Sequence, residues 1–335
     1  MSLASSLPVT AQISQPVISV QLDGEPRSTQ VPPYSILGSR QCDGSGLLYL
    51  RYASPAGGTY SSVIAKVDED GNTETVSLGN LPGASADRHS FVFVAAEDGS
   101  FDEILRAGDS EQDKDSQIDY VRFDPDGAVR SDAAFAQEFV PSTLVPLPNG
   151  NFFATGSVLR EESGEVVETS LAGIFNSDAK LQRKVKWDAG TAAAKGKKQD
   201  SQDESEEELL GQTARLGGDG NIYLLLDGDR AEVAVITQSG RIARVLHLKQ
   251  PFENGVVSDM WVSGNRLLVA YEGETDDPRD AFLYVMYDAQ TGDVIRAYHP
   301  DFTGTPACFE DGQTLSVLVR QPASGRVGIG TVALP

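Results

Sequence analysis

The amino-acid sequence predicts an all-β fold, a six-bladed β-propeller whose blades are four-stranded antiparallel sheets. Three observations predict it: a strand–turn–strand unit recurs along the chain, a second turn unit precedes each copy, and the two chain ends complement each other. Each repeat is long enough for about four short strands, which is typical of a propeller blade.

The first repeated unit is an alternating apolar stretch followed by a polar turn that contains Asp or Gly. Its copies lie at residues 63–71, 120–127, 172–178, 233–240, 283–292 and 327–332. Matching turn residues, from Asp68 in the first copy to Asp288 in the fifth, are 56, 52, 61 and 51 residues apart. Alternation of apolar and polar residues is the pattern of a strand, so each copy predicts a hairpin.

The second unit is a tight turn that opens another strand. Its copies lie at residues 43–50, 98–101, 148–153, 219–224, 263–268 and 311–315. Asn-Gly and Asp-Gly pairs supply the positive φ angles that short hairpin turns need. The strand before each of these turns is predicted to be the innermost of its blade.

The chain ends predict how the ring closes. The sixth copy stops after its third strand, at Leu334-Pro335, and residues 17–22 form a lone apolar strand near the N-terminus. An N-terminal strand that completes the last blade would leave no open sheet edge. A ring of seven blades is the structural alternative, but the sequence offers no seventh copy.

Three segments define the domain organisation. Residues 12–335 are predicted to form a single propeller domain, and residues 1–11 are either the remnant of a signal peptide or a disordered N-terminus. Val9-Thr10-Ala11 has the small residues of a cleavage site, which favours an exported bacterial protein, periplasmic or extracellular. Residues 189–208 are rich in Lys, Asp and Glu and are predicted to be a mobile acidic insertion.

Composition excludes several classes of partner. The chain has 335 residues, of which 27 are basic and 49 acidic, so its net charge is −22. Such a charge repels phosphate backbones and anionic lipids, which argues against nucleic-acid and membrane-surface partners. No apolar run reaches the length of a membrane span. A monomer is expected.

One blade resembles a known class of propellers. Asp219-Gly220-Asn221-Ile222-Tyr223, followed by Val233–Ile236 and Gly240, is similar to the repeat of NHL-like and TolB-like six-bladed propellers. The resemblance implies the fold and a central channel. It implies no particular activity, because propellers include hydrolases, lyases and binding modules.

Long loops are predicted to gather on one face of the ring. They are residues 54–59, 108–117, 160–167, 272–280 and 321–326, with the crossings 83–89, 188–208 and 299–305. Binding and catalytic residues concentrate on loops that a rigid scaffold displays. This loop face is therefore the surface that the sequence favours for function.

Two acidic loops on that face are candidate calcium sites, because hard cations prefer several carboxylate oxygens. The candidate ligands are Asp109, Glu111, Asp113 and Asp115 in one loop and Asp276 and Asp280 in the other. Lys114 stands where an EF-hand loop needs glycine, so solvated acidic loops are the alternative. No other cofactor is expected.

Candidate catalytic and ligand-binding residues cluster near the predicted channel mouth. A histidine beside a carboxylate can act as a general base, and the candidate pairs are His89 with Asp87 and His299 with Asp301. The candidate ligand-binding residues are Arg88, Asp259 and Tyr34, and Asp259 is the carboxylate expected deep in the inner strands. Ordinary surface polarity near a ring entrance is the alternative.

The two cysteines, Cys42 and Cys308, are predicted to lie in the inner strands of blades one and six. Ring closure makes these blades neighbours, so a disulfide could join them if the Cα atoms come within about 7 Å. Two unpaired thiols are the alternative. A disulfide would require an oxidising compartment, as export would provide.

The leading functional hypothesis is a binding or interaction module that presents its loop face and channel mouth. The partner would be a protein, a peptide or a small polar ligand. A hydrolase or lactonase acting at the channel mouth, with or without a divalent cation, is the alternative. A catalyst should bring His89 or His299 close to at least two carboxylates, whereas a binding module needs no such cluster.

Overall fold

A computed structural model describes most of the chain. The described residues are 16–31, 36–42, 48–56, 59–68, 70–78, 88–96, 98–107, 117–136, 139–162, 165–186, 211–226, 231–252, 255–273, 282–321 and 326–335. The calcium candidates Asp109, Glu111, Asp113, Asp115, Asp276 and Asp280 lie outside these residues, as do Asp87, Tyr34 and residues 1–11 and 189–208.

The described residues form twenty-five strands and confirm the predicted six-bladed propeller. Two short strands come first, β1 (Val17–Val20) and β2 (Arg27–Ser28). Blade one comprises β3 (Ile36–Cys42), β4 (Leu48–Ala56), β5 (Thr59–Val67) and β6 (Thr73–Ser77). Blade two comprises β7 (Arg88–Ala95), β8 (Phe101–Ala107), β9 (Ile118–Phe123) and β10 (Val129–Ala134). Blade three comprises β11 (Phe139–Pro146), β12 (Phe152–Glu162), β13 (Glu165–Phe175) and β14 (Leu181–Lys184).

The second half of the chain continues the pattern. Blade four comprises β15 (Gly211–Leu216), β16 (Ile222–Leu226), β17 (Glu232–Ile236) and β18 (Ile242–His247). Blade five comprises β19 (Val256–Ser263), β20 (Arg266–Glu272), β21 (Phe282–Asp288) and β22 (Val294–Pro300). Blade six comprises β23 (Thr305–Glu310), β24 (Thr314–Gln321) and β25 (Arg326–Ala333), with β2 as its fourth strand.

An N-terminal strand completes the last blade, as predicted, and that strand is β2, which pairs antiparallel with β25. The apolar segment expected in this role instead adds β1 to blade five, parallel to β22. Between the two strands, the Asp23 amide donates to the Thr331 carbonyl at 2.7 Å, so the N-terminal segment joins blades five and six.

The inner strands β3, β7, β11, β15, β19 and β23 follow one another around the central channel. Each of them has a register shift against its neighbouring strand, for example between Val257 and Asp259 in β19. A bulge bends a strand and increases its twist, which suits a strand at the crowded centre of a ring.

The turns form for the local reason that the sequence predicts. The Asp98 side chain accepts a hydrogen bond from the Ser100 amide, and Asp219 accepts one from the Asn221 amide. Gly99 and Gly220 in these turns have φ angles of +77° and +75°, which glycine adopts without steric cost. Two predicted loops are shorter than expected, because the β4–β5 and β12–β13 ladders extend to Ala56↔Thr59 and Glu162↔Glu165.

Candidate functional site: the channel cavity and the seam beside it

A cavity of about 440 Å³ occupies one end of the central channel, and we call it the channel cavity. All six inner strands contribute residues near their C-terminal ends, and hairpin-turn residues such as Asp98 and Pro148 complete its wall. The cavity therefore lies toward the face that carries the short hairpins, opposite the predicted loop face. Much of that loop face lies outside the described residues.

Most of the described residues that line the cavity are apolar. Leu144, Val145 and Pro146 come from β11, and Trp261 and Phe309 come from β19 and β23. The Trp261 indole is fixed because its Nε1 donates to the Ala307 carbonyl at 3.3 Å. Apolar walls with a few placed polar groups are the usual composition of a small-molecule site.

One polar pair lies in this apolar wall, between blades four and five. Arg215 Nη2 on β15 lies 3.2 Å from Asp259 Oδ1 on β19. The same carboxylate oxygen accepts a 2.8 Å hydrogen bond from the Met260 amide, which holds its orientation. The two side chains are 29% and 20% exposed, so both are partly desolvated and still accessible from the cavity. Asp259, a candidate from the sequence, thus lies in the cavity wall.

The cavity also borders the contact surface between blades two and three, which we call the 2–3 seam. Arg122 of β9 and Arg130 of β10 line the cavity on this side, together with Asp98. The described lining residues therefore include three arginines and two aspartates, a charge of +1 within a chain of charge −22. Such a local excess of arginine favours an anionic group.

Behind Arg122 lies a buried carboxylate. Asp102 of β8 has no solvent exposure, and Arg122 Nε lies 3.1 Å from its Oδ1. Among the described residues, neither Asp102 oxygen has an aligned hydrogen bond, and the same is true of Arg122 Nε and the Tyr120 hydroxyl. A buried polar group without such a bond lowers stability. A proton or a ligand that supplies the missing interaction can remove part of this cost.

Burial raises the pKa of Asp102 to about 7, although the Arg122 charge and the nearby Tyr120 hydroxyl act in the opposite direction. Burial also raises the pKa of Tyr120, so the phenol stays neutral at ordinary pH. Asp98 behaves differently. Partial burial acts to raise its pKa, but hydrogen bonds from Ser100 and the charges of Arg122 and Arg130 together outweigh that effect and lower the pKa.

Alternation along β8 explains why blade two holds so many buried charges. Asp102 and Ile104 face blade three, where Tyr120 stacks on Phe152 with ring centroids 4.1 Å apart. Glu103 lies on the other face and contacts blade one, where Arg51 Nε donates to its Oε1 at 2.6 Å. Four of the five buried charged residues in the described part of the chain belong to blade two; they are Asp102, Glu103, Asp119 and Arg122.

The sequence did not single out Asp102, Glu103 or Arg122. The sequence does contain a sign that these acids are buried, because Asp102 and Glu103 are consecutive and the residues on either side of them, Phe101 and Ile104, are apolar. A central strand of a blade is covered on both faces, so each of these acids had to be buried against a partner.

The structure separates the two candidate histidines. Arg88 and His89 open inner strand β7 at the end away from the cavity, and their side chains lie outside the description. His299 lies in β22, which β20 and β21 separate from the inner strand of blade five, and β1 covers its outer edge. Asp301 is exposed just beyond it, and its amide donates to Val20. The His299–Asp301 pair is therefore on the outer rim, rather than at the channel mouth expected from the sequence.

Cys42 and Cys308 form a disulfide between β3 and β23, with their Cα atoms 5.7 Å apart. The bond links blade one to blade six, where the ring closes, and Cys42 lies in the cavity wall. In the described part of the chain, no group of three or more His, Cys, Asp or Glu residues is placed to hold a metal ion. No helix formed by described residues is long and apolar enough to cross a bilayer.

Comparisons with known proteins concern the fold. Neither a protein-family description nor a curated protein matches the chain. A solved protein of unknown function from Dyadobacter fermentans DSM 18053 is 12% identical, with 98% of this chain and 100% of that chain covered and a TM-score of 0.52. A luciferin-regenerating enzyme is 11% identical over 94% of each chain, with a TM-score of 0.44. A Pyrococcus horikoshii acylaminoacyl peptidase is 11% identical over 91% of this chain and 47% of its own, with a TM-score of 0.46.

Proposed function

We propose that this propeller is a binding module and that the channel cavity holds its ligand, a small molecule with an apolar body and at least one polar group. The observation that carries the proposal is the Arg215–Asp259 pair, set among mainly apolar residues in the wall of a cavity of about 440 Å³. The cavity volume is within the range of small-molecule sites, roughly 300–1,000 Å³.

The pair suits recognition rather than simple support of the fold. Asp259 Oδ1 is held by a backbone amide, so the carboxylate and the guanidinium have fixed positions before a ligand arrives. Groups that are already oriented lose less entropy on binding. The disulfide between Cys42 and Cys308 further supports the proposal that the protein works in an oxidising compartment, periplasmic or extracellular.

The test is ligand-observed NMR with a set of small acids, amines and neutral fragments. Ala96 lines the cavity at its hairpin end, so Ala96→Trp should fill the entrance and abolish binding of the fragments that bind the wild type. Ala128→Trp is the matched control, because Ala128 is exposed in the β9–β10 turn and does not line the cavity. Fragments that bind equally to the Ala96→Trp variant would place the ligand elsewhere and overturn the proposal.

The same samples test the hydrolase alternative. Mass spectrometry after prolonged incubation should recover every bound fragment unchanged, including esters and lactones. Hydrolysed product that depends on wild-type protein, and that the Ala96→Trp variant fails to form, would mean that the cavity is an active site rather than a binding site.

A further inference from the structure

The 2–3 seam adds a second polar feature to the channel cavity, and its chemistry narrows the class of ligand. Arg122 and Arg130 line the cavity there, while Arg122 is also the charged neighbour of the buried Asp102. An arginine in this position can bind a carboxylate through its planar fork of donors. Blade three contributes Leu144 to Pro148, all of them apolar, to the neighbouring part of the cavity wall.

We propose that the 2–3 seam is the carboxylate-binding part of the channel cavity, that Arg122 anchors the ligand carboxylate, and that protonation of Asp102 strengthens this binding. The inference rests on the proposed function, since it assigns a ligand class and a regulation to the same cavity. The ligand is a small monocarboxylate with an apolar body, and it binds more tightly as the pH falls.

Charge balance gives the direction of the effect. With Asp102 ionised, the lining charge of +1 and the buried carboxylate sum to zero, so an entering carboxylate would compete with Asp102 for Arg122. With Asp102 protonated, the Arg122 charge is available to the ligand, and the sum is +1. By linkage, the bound anion must in turn make Asp102 easier to protonate.

The other groups that face Asp102 do not change protonation state between pH 6 and 8.5. Tyr120 and Arg122 come from β9, Asp98 from the β7–β8 turn and Arg130 from β10. Burial raises the pKa of Tyr120, and hydrogen bonds from Ser100 lower that of Asp98, so neither changes charge between pH 6 and 8.5. Blade three contributes apolar residues to this contact, including Phe152 and Leu144. Asp102 is thus the group that titrates there.

The probe is 3-phenylpropanoate, with neutral 3-phenylpropanamide as its matched control. The dissociation constant of the acid for the wild type should increase about tenfold from pH 6 to pH 8.5, consistent with coupling to one proton. Asp102→Asn should remove this dependence, and Arg122→Gln should weaken binding at every pH. Asp126→Asn is the control variant, because Asp126 is exposed in the β9–β10 turn and outside the cavity, and it should behave like the wild type.

A second measurement does not need the Asp102 variant to fold. Isothermal titration of the wild type in two buffers of different ionisation enthalpy should register proton uptake when the acid binds near pH 7.5. No uptake, or equal binding of the acid and the amide, would overturn the inference. If other fragments enter the cavity but 3-phenylpropanoate does not, the inference fails and the proposed function stands. If every fragment binds the Ala96→Trp variant as it binds the wild type, both the inference and the proposed function fail.

Discussion

The two seams of blade two hold neighbouring acids of one strand in different ways. Glu103 faces blade one and accepts a 2.6 Å hydrogen bond from Arg51 Nε. Asp102 faces blade three, and Nε of Arg122, its neighbour on β9 of the same blade, is 3.1 Å away without an aligned hydrogen bond. Both acids are almost fully buried, 1% and 0% exposed. Burial and a nearby arginine therefore do not by themselves make a structural ion pair, because the alignment of the hydrogen bond decides whether the charged form is satisfied.

A disulfide, rather than an ion pair, joins blades six and one. Replacing Cys42 and Cys308 by Ser should lower the free energy of unfolding by about 4 kcal/mol, because the bond joins residues 266 apart and restricts the unfolded chain. Urea unfolding of the wild type with and without reductant measures the effect, and the double variant should not respond to reductant. If reductant leaves the urea midpoint of the wild type unchanged, Cys42 and Cys308 are not bonded.

Replacing Arg51 and Arg122 in turn tests whether the alignment of the hydrogen bond matters for stability. Arg51→Ala removes the aligned donor that Arg51 provides to the buried Glu103, and the free energy of unfolding at pH 6 should fall by about 3 kcal/mol. Arg122→Ala should cost about 1 kcal/mol at the same pH, because Asp102 can take up a proton instead of remaining an unpaired charge. Urea unfolding measures both values. Equal losses of unfolding free energy in the two variants would show that the alignment of the arginine hydrogen bond makes no difference to stability.

The free energy of unfolding should depend on pH through Asp102. Burial raises the pKa of Asp102 from 3.8 to about 7, so the folded state binds this proton more tightly than the unfolded chain. Its contribution to stability is fully present below about pH 4 and is lost as the pH rises through about 7. Asp102→Asn cannot ionise, so its stability relative to the wild type should rise by on the order of 3 kcal/mol between pH 4 and pH 8.

Chemical unfolding at several pH values measures this difference. The Asp126→Asn variant, which changes an exposed acid of the same blade, should follow the wild-type curve throughout. A constant difference between Asp102→Asn and the wild type would mean that Asp102 is already ionised at acidic pH, as an aligned ion pair would be.

Local signals in the sequence were sufficient to predict the blades. The Asp98 and Asp219 turns form through hydrogen bonds to an amide two residues later, so their structure depends on neighbours in the sequence. Ring closure depends on distant residues. β2 has only two residues, Arg27 and Ser28, both exposed and polar, so no pattern identifies it as a strand. The apolar strand β1 was visible, but its partner is set by the packing of blades five and six.

The candidate site, too, was predictable only in part. Asp259 was identifiable because counting back from the turn at Gly264 places it in an inner strand. The consecutive acids Asp102 and Glu103 stand within a short apolar stretch, which is a sign of burial that the repeat pattern alone does not show. No sequence pattern could predict which arginine is aligned, since Arg51 reaches β8 from blade one and Arg122 from the adjacent strand β9, and the outcome depends on side-chain geometry.

The smallest expected effect concerns Arg130, the exposed arginine beside the 2–3 seam. Its Nη2 lies 2.6 Å from Asp124 Oδ1 and its Nη1 lies 3.6 Å from Asp98 Oδ2, but its side chain is 46% exposed. Solvent and salt screen such pairs, so Arg130→Ala should lower the free energy of unfolding by less than about 1 kcal/mol, and less again in 0.5 M salt. Urea unfolding at two salt concentrations measures both values. A loss as large as that of Arg51→Ala, unchanged by salt, would mean that Arg130 is part of the buried network around Asp102.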